Sequence, residues 1–472
     1  MTDTEYDVII IGAGAVGENV ADNVVQGGLS ALLIESELVG GACSYWACMP
    51  SKALLRSGAA VRAAQRVEGA KEAVTGSTDV DATLARRDTF THDWDDESQV
   101  KWVAGAGIDL LRGTARITGV KQVTVDGTVY TARHAVAVST GSDPSLPGIP
   151  GLADVNPWQT TDATSAHEVP ASLAIIGGGV AGCELATAYA GFGTKVTVIA
   201  RSALLEKDEP FAGELVADGL RALGATILLG VSATKVSRPD TAVVLDLDDG
   251  STVTADEVLV ATGRKPGTDD LGLENIGLKP GSWLDVDDTL LVKGFDWLYG
   301  VGDVNHRVLL THQGKYQARA AGDVIVARAL GKPVDDAPWG THVATADHQA
   351  VPQVTFTDPE VASIGLTADA AKKAGYETRV VDFDLGSVAG ASLQADGYTG
   401  KARMVVDEKR KVLLGVTFVG QDVAEMLQAA TIAVVGEVPI DRLWHAVPAY
   451  PTMSEIWLRL LEGYGRPTPD AA

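Results

Sequence analysis

Two stretches of this chain follow the same hydrophobic plan. Residues 7–11 form an unbroken apolar run that ends in Gly12-Ala13-Gly14-Ala15-Val16-Gly17; a helical spacing of apolar positions follows, then a second apolar run at 31–34 that stops at Glu35. This predicts strand, glycine turn, helix and strand in that order. Residues 173–176 lead in the same way into Gly177-Gly178-Gly179-Val180-Ala181-Gly182, a helix, and a strand over 195–200. From about residue 344 the pattern changes to strands at 351–356, 403–406 and 413–418 with two helices and no glycine turn, which predicts an α+β region.

Between these blocks lie two small-residue turns at the ends of apolar strands, Ser139-Thr140-Gly141-Ser142 and Ala261-Thr262-Gly263-Arg264. Residues 144–157, rich in Pro and Gly, read as the hinge into the second glycine unit, with the return near 278–283. The expected fold class is α/β, with two Rossmann-like dinucleotide-binding domains followed by an α+β domain. The domains run over 1–150 with 282–343, 151–281, and 344–472.

Composition narrows the function classes. A length of 472 residues allows two or three domains with ample cores. A formal charge of −24 opposes nucleic acid and anionic membranes as partners. No apolar run approaches the roughly 20 residues of a membrane span. The acidic start, Met1-Thr2-Asp3-Thr4-Glu5, lacks the basic leader of a secretory signal, so a cytoplasmic protein is expected.

The chemistry concentrates in Gly40-Gly41-Ala42-Cys43-Ser44-Tyr45-Trp46-Ala47-Cys48-Met49-Pro50-Ser51-Lys52, which holds two of the three cysteines. Pro50 suits a first helical turn, and Cys48 then sits at a helix N-terminus, where unpaired N–H groups favour a thiolate. With no second cysteine pair a zinc site lacks ligands, no metal is expected, and Cys43 with Cys48 reads as a redox-active disulfide pair.

The glycines carry the next inference. Gly12, Gly14 and Gly17 let backbone N–H groups approach a pyrophosphate, and Glu35 can accept from a ribose hydroxyl; Gly177, Gly179 and Gly182 repeat the device. In the second unit the position equivalent to Glu35 is Ala200, followed by Arg201 and then Lys207. Two cations without a carboxylate suit a 2′-phosphate, so NADPH is expected ahead of NADH. Gly41, Thr140, Gly141 and Gly263 fall at the turns beside these sites. Asp303, ending the short strand of Gly300-Val301-Gly302-Asp303, can accept from polyol hydroxyls, and Thr311 opens a long alanine-rich helix whose N-terminus would face a flavin's pyrimidine edge.

With these residues in order, the chain closely resembles the flavin-dependent pyridine nucleotide-disulfide oxidoreductases, the family of dihydrolipoamide dehydrogenase, glutathione reductase and mercuric reductase. The likeness rests on both glycine units, the C-x₄-C with Pro50-Ser51-Lys52, Glu184, the Thr-Gly turns, Gly302-Asp303, and Phe356-Thr357-Asp358-Pro359-Glu360. The resemblance implies FAD in the first unit, a nicotinamide nucleotide in the second, and a homodimer formed by the last domain, whose C-terminus completes the partner's active site. It implies that Cys48 lies nearest the flavin, that Cys43 attacks the substrate, and that Lys52 and Glu184 form a charged pair beside the flavin.

One departure stands out. Disulfide reductases of the family read His-Pro-Thr-x-Ser-Glu where this chain reads Tyr450-Pro451-Thr452-Met453-Ser454-Glu455, so Tyr450 replaces the catalytic histidine while Glu455 is retained. A phenol with pKa near 10 is only about 0.1% ionised at pH 7, a poor general base. Mercuric reductases resemble this chain in having tyrosine there, but they add a C-terminal cysteine pair, and this chain has no thiol beyond Cys183. The expected activity is electron transfer from NADPH through flavin and Cys43–Cys48 to a small-molecule acceptor, a disulfide or other sulfur compound. The alternatives are quinone or metal-ion reduction and, in another class, a flavin-binding redox sensor.

Overall fold

The computed structural model describes residues 4–466; residues 1–3 and 467–472, the outer ends of the first and last expected domains, lie outside them. The described residues separate into two compact units. One comprises residues up to 50, 87–145 and 263–348, the other residues 51–86, 146–262 and from 349 on.

The first unit is organised on strand Glu5–Ile11. It pairs in parallel with Ala31–Glu35, Ile9 opposite Leu32, and on its other side with the end of Thr128–Val138, Ile10 opposite Ala137. Val8, Ile9 and Ile10 are fully buried, which is why the run is apolar at every position rather than at alternate ones. Among the described residues the sheet has seven strands, with Asp109–Arg112 at one end and Leu298–Gly300 added beside Thr128–Val138. Helix Ala15–Gln26 packs on helix Thr311–Ala329 at unusually short range. A methyl on Gly314 would stand 2.6 Å from Val16 Cγ2, and one on Gly322 would stand 2.5 Å from Asn23 Cβ. The alanine-rich composition of the second helix follows from that close approach.

Arg264–Pro266 pairs antiparallel with Ser142–Pro144, so the chain re-enters the first unit at residue 263, ahead of the return expected near 278–283. These two three-residue strands give no periodic signal of their own, and residues after them are tied to the first unit by Leu271 and Leu273 in its core and by Asn275 donating to the Ile117 carbonyl oxygen.

The second unit contains a parallel sheet in the order Thr226–Leu229, Lys195–Ala200, Ser172–Ile176, Glu257–Val260, with helix Val180–Gly191 following its glycine turn. A five-stranded antiparallel sheet is centred on Val412–Gly420, buried along its whole length between Glu360–Gly365 and Lys401–Asp407. The last domain holds more helices than the two expected. Ala368–Lys373 and Ala389–Gln394 have six residues each, too short for a helical period to show.

Candidate active site

The first glycine turn is shaped by contacts that exclude side chains. Gly12 has φ +96°, and a Cβ there would lie 2.5 Å from the Ser139 carbonyl oxygen; a Cβ on Gly17 would lie 1.9 Å from the carbonyl oxygen of Gly12. Gly41 has φ +62°, and its Cβ would stand 2.7 Å from Gly14 Cα. The strap that leads to the cysteines therefore crosses directly over the turn. Glu35 accepts from the Ala13 amide at 2.6 Å and from the Glu37 amide at 2.8 Å, which fixes its carboxylate at the strand end. Ser139 Oγ and Thr140 Oγ1 are buried without a hydrogen-bond partner in the protein, as is Glu18 Oε1 in the first turn of the following helix. Unpaired buried polar groups beside an open glycine turn are what a bound dinucleotide would satisfy, so these residues fit FAD.

Asp303 lies on the same unit. It accepts from Ser142 Oγ at 2.6 Å and stands 3.8 Å from Arg264, which donates to Ser142 Oγ at 2.6 Å. Gly141, at φ +69°, lets the chain turn between Thr140 and Ser142, while Gly263 has open space around it.

Cys43 occupies the short helix Gly41–Tyr45, and Cys48 begins helix Cys48–Gln65 with Pro50 in its first turn. Both cysteines are thiols here, hydrogen-bonded to each other. Cys48 Sγ is also 3.3 Å from Thr311 Oγ1. Thr311 starts its helix without a side-chain cap, so the first-turn N–H groups of that helix stay open to a ligand. The Cys43 proton is held well above the ordinary thiol range, first by the hydrogen bond to Cys48 and then by burial; the Thr311 hydroxyl and the Lys315 ammonium act the other way.

In the second unit Lys52 Nζ donates to Glu184 Oε2 at 2.6 Å, and Glu184 Oε1 accepts from the Phe356 amide at 3.0 Å. Glu184 is buried and Lys52 lies 4.9 Å from the centre of the Phe356 ring. The second glycine turn repeats the first: Gly177 has φ +125°, a Cβ on Gly182 would lie 2.3 Å from the Gly177 carbonyl oxygen, and Gly179 precedes the helix. Arg201 and Lys207 are exposed, and neither makes an ion pair among the described residues. Tyr450 is 76% exposed. Glu455 is buried and already engaged, accepting from the Ala389 amide at 3.1 Å and from Arg459 Nη2 at 2.6 Å.

Sequence reasoning missed Ser142, Arg264, Phe356, Glu18 and Lys315 as participants. Glu18 carried one usable signal, a carboxylate directly after the third glycine of a phosphate-binding turn. The others gain their place from contacts between residues far apart in the chain, as in Arg264 with Ser142 and Phe356 with Glu184.

Comparison with known proteins gives a consistent set. Residues 6–321 match the pyridine nucleotide-disulphide oxidoreductase family and residues 351–460 its dimerisation domain. The chain is 31% identical to the mercuric reductase of Staphylococcus aureus over 459 residues, covering 96% of this chain and 81% of that protein. It is 32% identical to the dihydrolipoyl dehydrogenase of Thermus scotoductus over 464 residues, covering 95% of each. The solved Cu(II) complex of the HOCl-induced flavoprotein disulfide reductase RclA from Escherichia coli matches with a TM-score of 0.83 over 98% of this chain and 99% of that one; at 23% identity this likeness concerns the fold alone.

Proposed function

The chain belongs to the pyridine nucleotide-disulphide oxidoreductases, FAD-dependent enzymes that use pyridine nucleotides, and on that premise we propose that NADPH is its electron donor and a disulfide or other small sulfur compound its acceptor. The match to the family's dimerisation domain supports a homodimer. The observation that carries the reading is the Cys43–Cys48 dithiol, two hydrogen-bonded thiols in the unit that holds the first glycine turn and the Thr311 helix.

FAD, when bound, would supply a route for an electron pair from the nicotinamide to the cysteines. Gly12, Gly14, Gly17 and Gly41 would hold its pyrophosphate by their backbone, Glu35 its ribose, and Asp303 its polyol chain; Ser139, Thr140 and Gly141 would offer further polar contacts. Gly177, Gly179, Gly182 and Gly263 serve the nicotinamide nucleotide. Arg201 and Lys207, unpaired and exposed, receive a 2′-phosphate. Lys52 and Glu184, locked at 2.6 Å, supply a fixed charge pair. Cys43 attacks the acceptor, Cys48 closes the disulfide, and Tyr450 donates a hydrogen bond or proton to the acceptor or leaving group, since a phenol at neutral pH rarely accepts one. Glu455 ties the start of helix Ile456–Tyr464 to helix Ala389–Gln394 through Ala389 and Arg459.

A second reading, mercuric-ion reduction, is favoured by Tyr450 together with relatives named mercuric reductase. Steady-state turnover with disulfides, quinones and Hg²⁺ separates the two, the sulfur reading requiring the highest kcat/KM with a disulfide. The donor is tested by Arg201→Ala. Losing a charge-assisted phosphate contact costs about 1–3 kcal/mol, so kcat/KM for NADPH falls about tenfold or more while that for NADH is nearly unchanged. Equal kcat/KM for both nucleotides in the native enzyme rules the NADPH assignment out.

A further inference from the structure

The proposed chemistry needs Cys43 as a thiolate, and the position where the family's disulfide reductases carry imidazole is Tyr450 here. The first unit contains a different source of positive charge. Cys48 Sγ lies 3.3 Å from Thr311 Oγ1, which pins the thiol pair to the first turn of helix Thr311–Ala329. Lys315 is four residues further along, hence on the same face one turn on, and helical side chains lean back toward the N-terminus, here toward Thr311 and the thiols. Lys315 is half-buried, and its positive charge pulls the proton affinity of Cys43 down, the weakest of the influences on a thiol that the Cys48 hydrogen bond and burial hold up.

Its other neighbour is Glu18, on the helix that packs against this one. Glu18 is 8% exposed and one of its carboxylate oxygens has no partner in the protein. The charged and titratable groups around the pair are therefore Cys48 beside Cys43, Glu18 beside Lys315, and Glu35 and Tyr45 beside Glu18, with the Thr311 hydroxyl hydrogen-bonded at the thiols.

Resting on that reading of the function, we propose that Lys315 is a positioning residue that keeps Cys43 nucleophilic by charge, standing in within one subunit for the imidazole absent at position 450. Cys43 gives its proton to solvent and remains as a thiolate beside the ammonium. It attacks an acceptor disulfide, breaking that S–S bond and forming a mixed disulfide while one thiol leaves and takes a proton from solvent. Cys48 then gives its proton to solvent and attacks the Cys43 sulfur, breaking the mixed disulfide and releasing the second thiolate, which takes a proton from solvent, so two electrons pass from the dithiol to the acceptor and Cys43–Cys48 closes.

The test is the pH profile of Cys43 alkylation by iodoacetamide in FAD-loaded Cys48→Ser enzyme, with the modified residue identified by mass spectrometry. Lys315→Met and Lys315→Gln should move the midpoint up by about one pH unit, an approximately tenfold slower reaction at pH 7, while Lys315→Arg stays within about threefold of the parent. High salt should slow the parent and leave Lys315→Met unchanged. Flavin content and melting temperature, measured on each protein, separate a charge effect from lost folding. Superimposable profiles for Lys315→Met, Lys315→Gln and the parent overturn the proposal. No acceptor or nucleotide enters this assay, so its failure leaves the acceptor assignment standing, and a failed acceptor assignment leaves this result readable.

Discussion

Glu18 is the residue whose surroundings most oppose its charge. Burial raises its carboxyl from 4.5 to about 7, with Lys315 pulling the other way and Glu35 adding to the rise. A group with a raised native pKa binds its proton more tightly when folded, so stability is highest below about pH 4.5 as far as this group is concerned. It falls as pH rises, and the loss is complete above about pH 7. The shift bounds the effect at roughly 3 kcal/mol. Glu18→Gln should therefore raise the melting temperature clearly at pH 8 and much less at pH 5. An equal change at both pH values would mean that the carboxyl is not titrating in this range. Its place after the glycine turn was marked in the sequence, but its raised pKa was not, because that depends on burial by the fold and on Lys315, almost 300 positions away in the chain. Cys43 and Cys48 were legible because their chemistry needs only each other and a helix start, both local features.

At the scale of elements, the two glycine turns were readable since each is a local steric demand, a positive φ or a missing Cβ, written directly as glycine. They also allow the two nucleotides to be assigned separately. In Gly17→Ala the new methyl meets the Gly12 carbonyl oxygen at 1.9 Å, and purified protein should contain little or no FAD. In Gly182→Ala the clash is with Gly177 at 2.3 Å in the other unit, so bound FAD should remain near the parent level while KM for the nicotinamide nucleotide rises about tenfold or more. Flavin absorbance per chain and steady-state kinetics read both, and loss of FAD from Gly182→Ala instead would reverse the assignment. Less was legible where elements are short. The helix that holds Cys43 spans five residues and the strands at Ser142–Pro144 and Arg264–Pro266 span three each, below the length at which any period can declare itself.

For the whole molecule, the account is of a dithiol enzyme whose first unit carries the flavin turn, the cysteines and their cation, and whose second carries the nucleotide turn and the dimerisation sheet. The chain's organisation follows from the repeated apolar-then-glycine plan, strand, glycine turn and helix in each copy. The crossings between units were harder to place, since residues 51–86 join the second unit through contacts that no local pattern marks, such as Arg62 with Asp358 at 2.5 Å. The most direct test of the central claim is to oxidise the FAD-loaded enzyme, titrate it anaerobically with NADPH, and count alkylatable thiols at Cys43 and Cys48 by mass spectrometry. The account predicts that one NADPH opens the disulfide and exposes both cysteines, leaving Cys183 as it was. Continued turnover of the acceptor with Cys43 and Cys48 still joined, or with both replaced by serine, would contradict it.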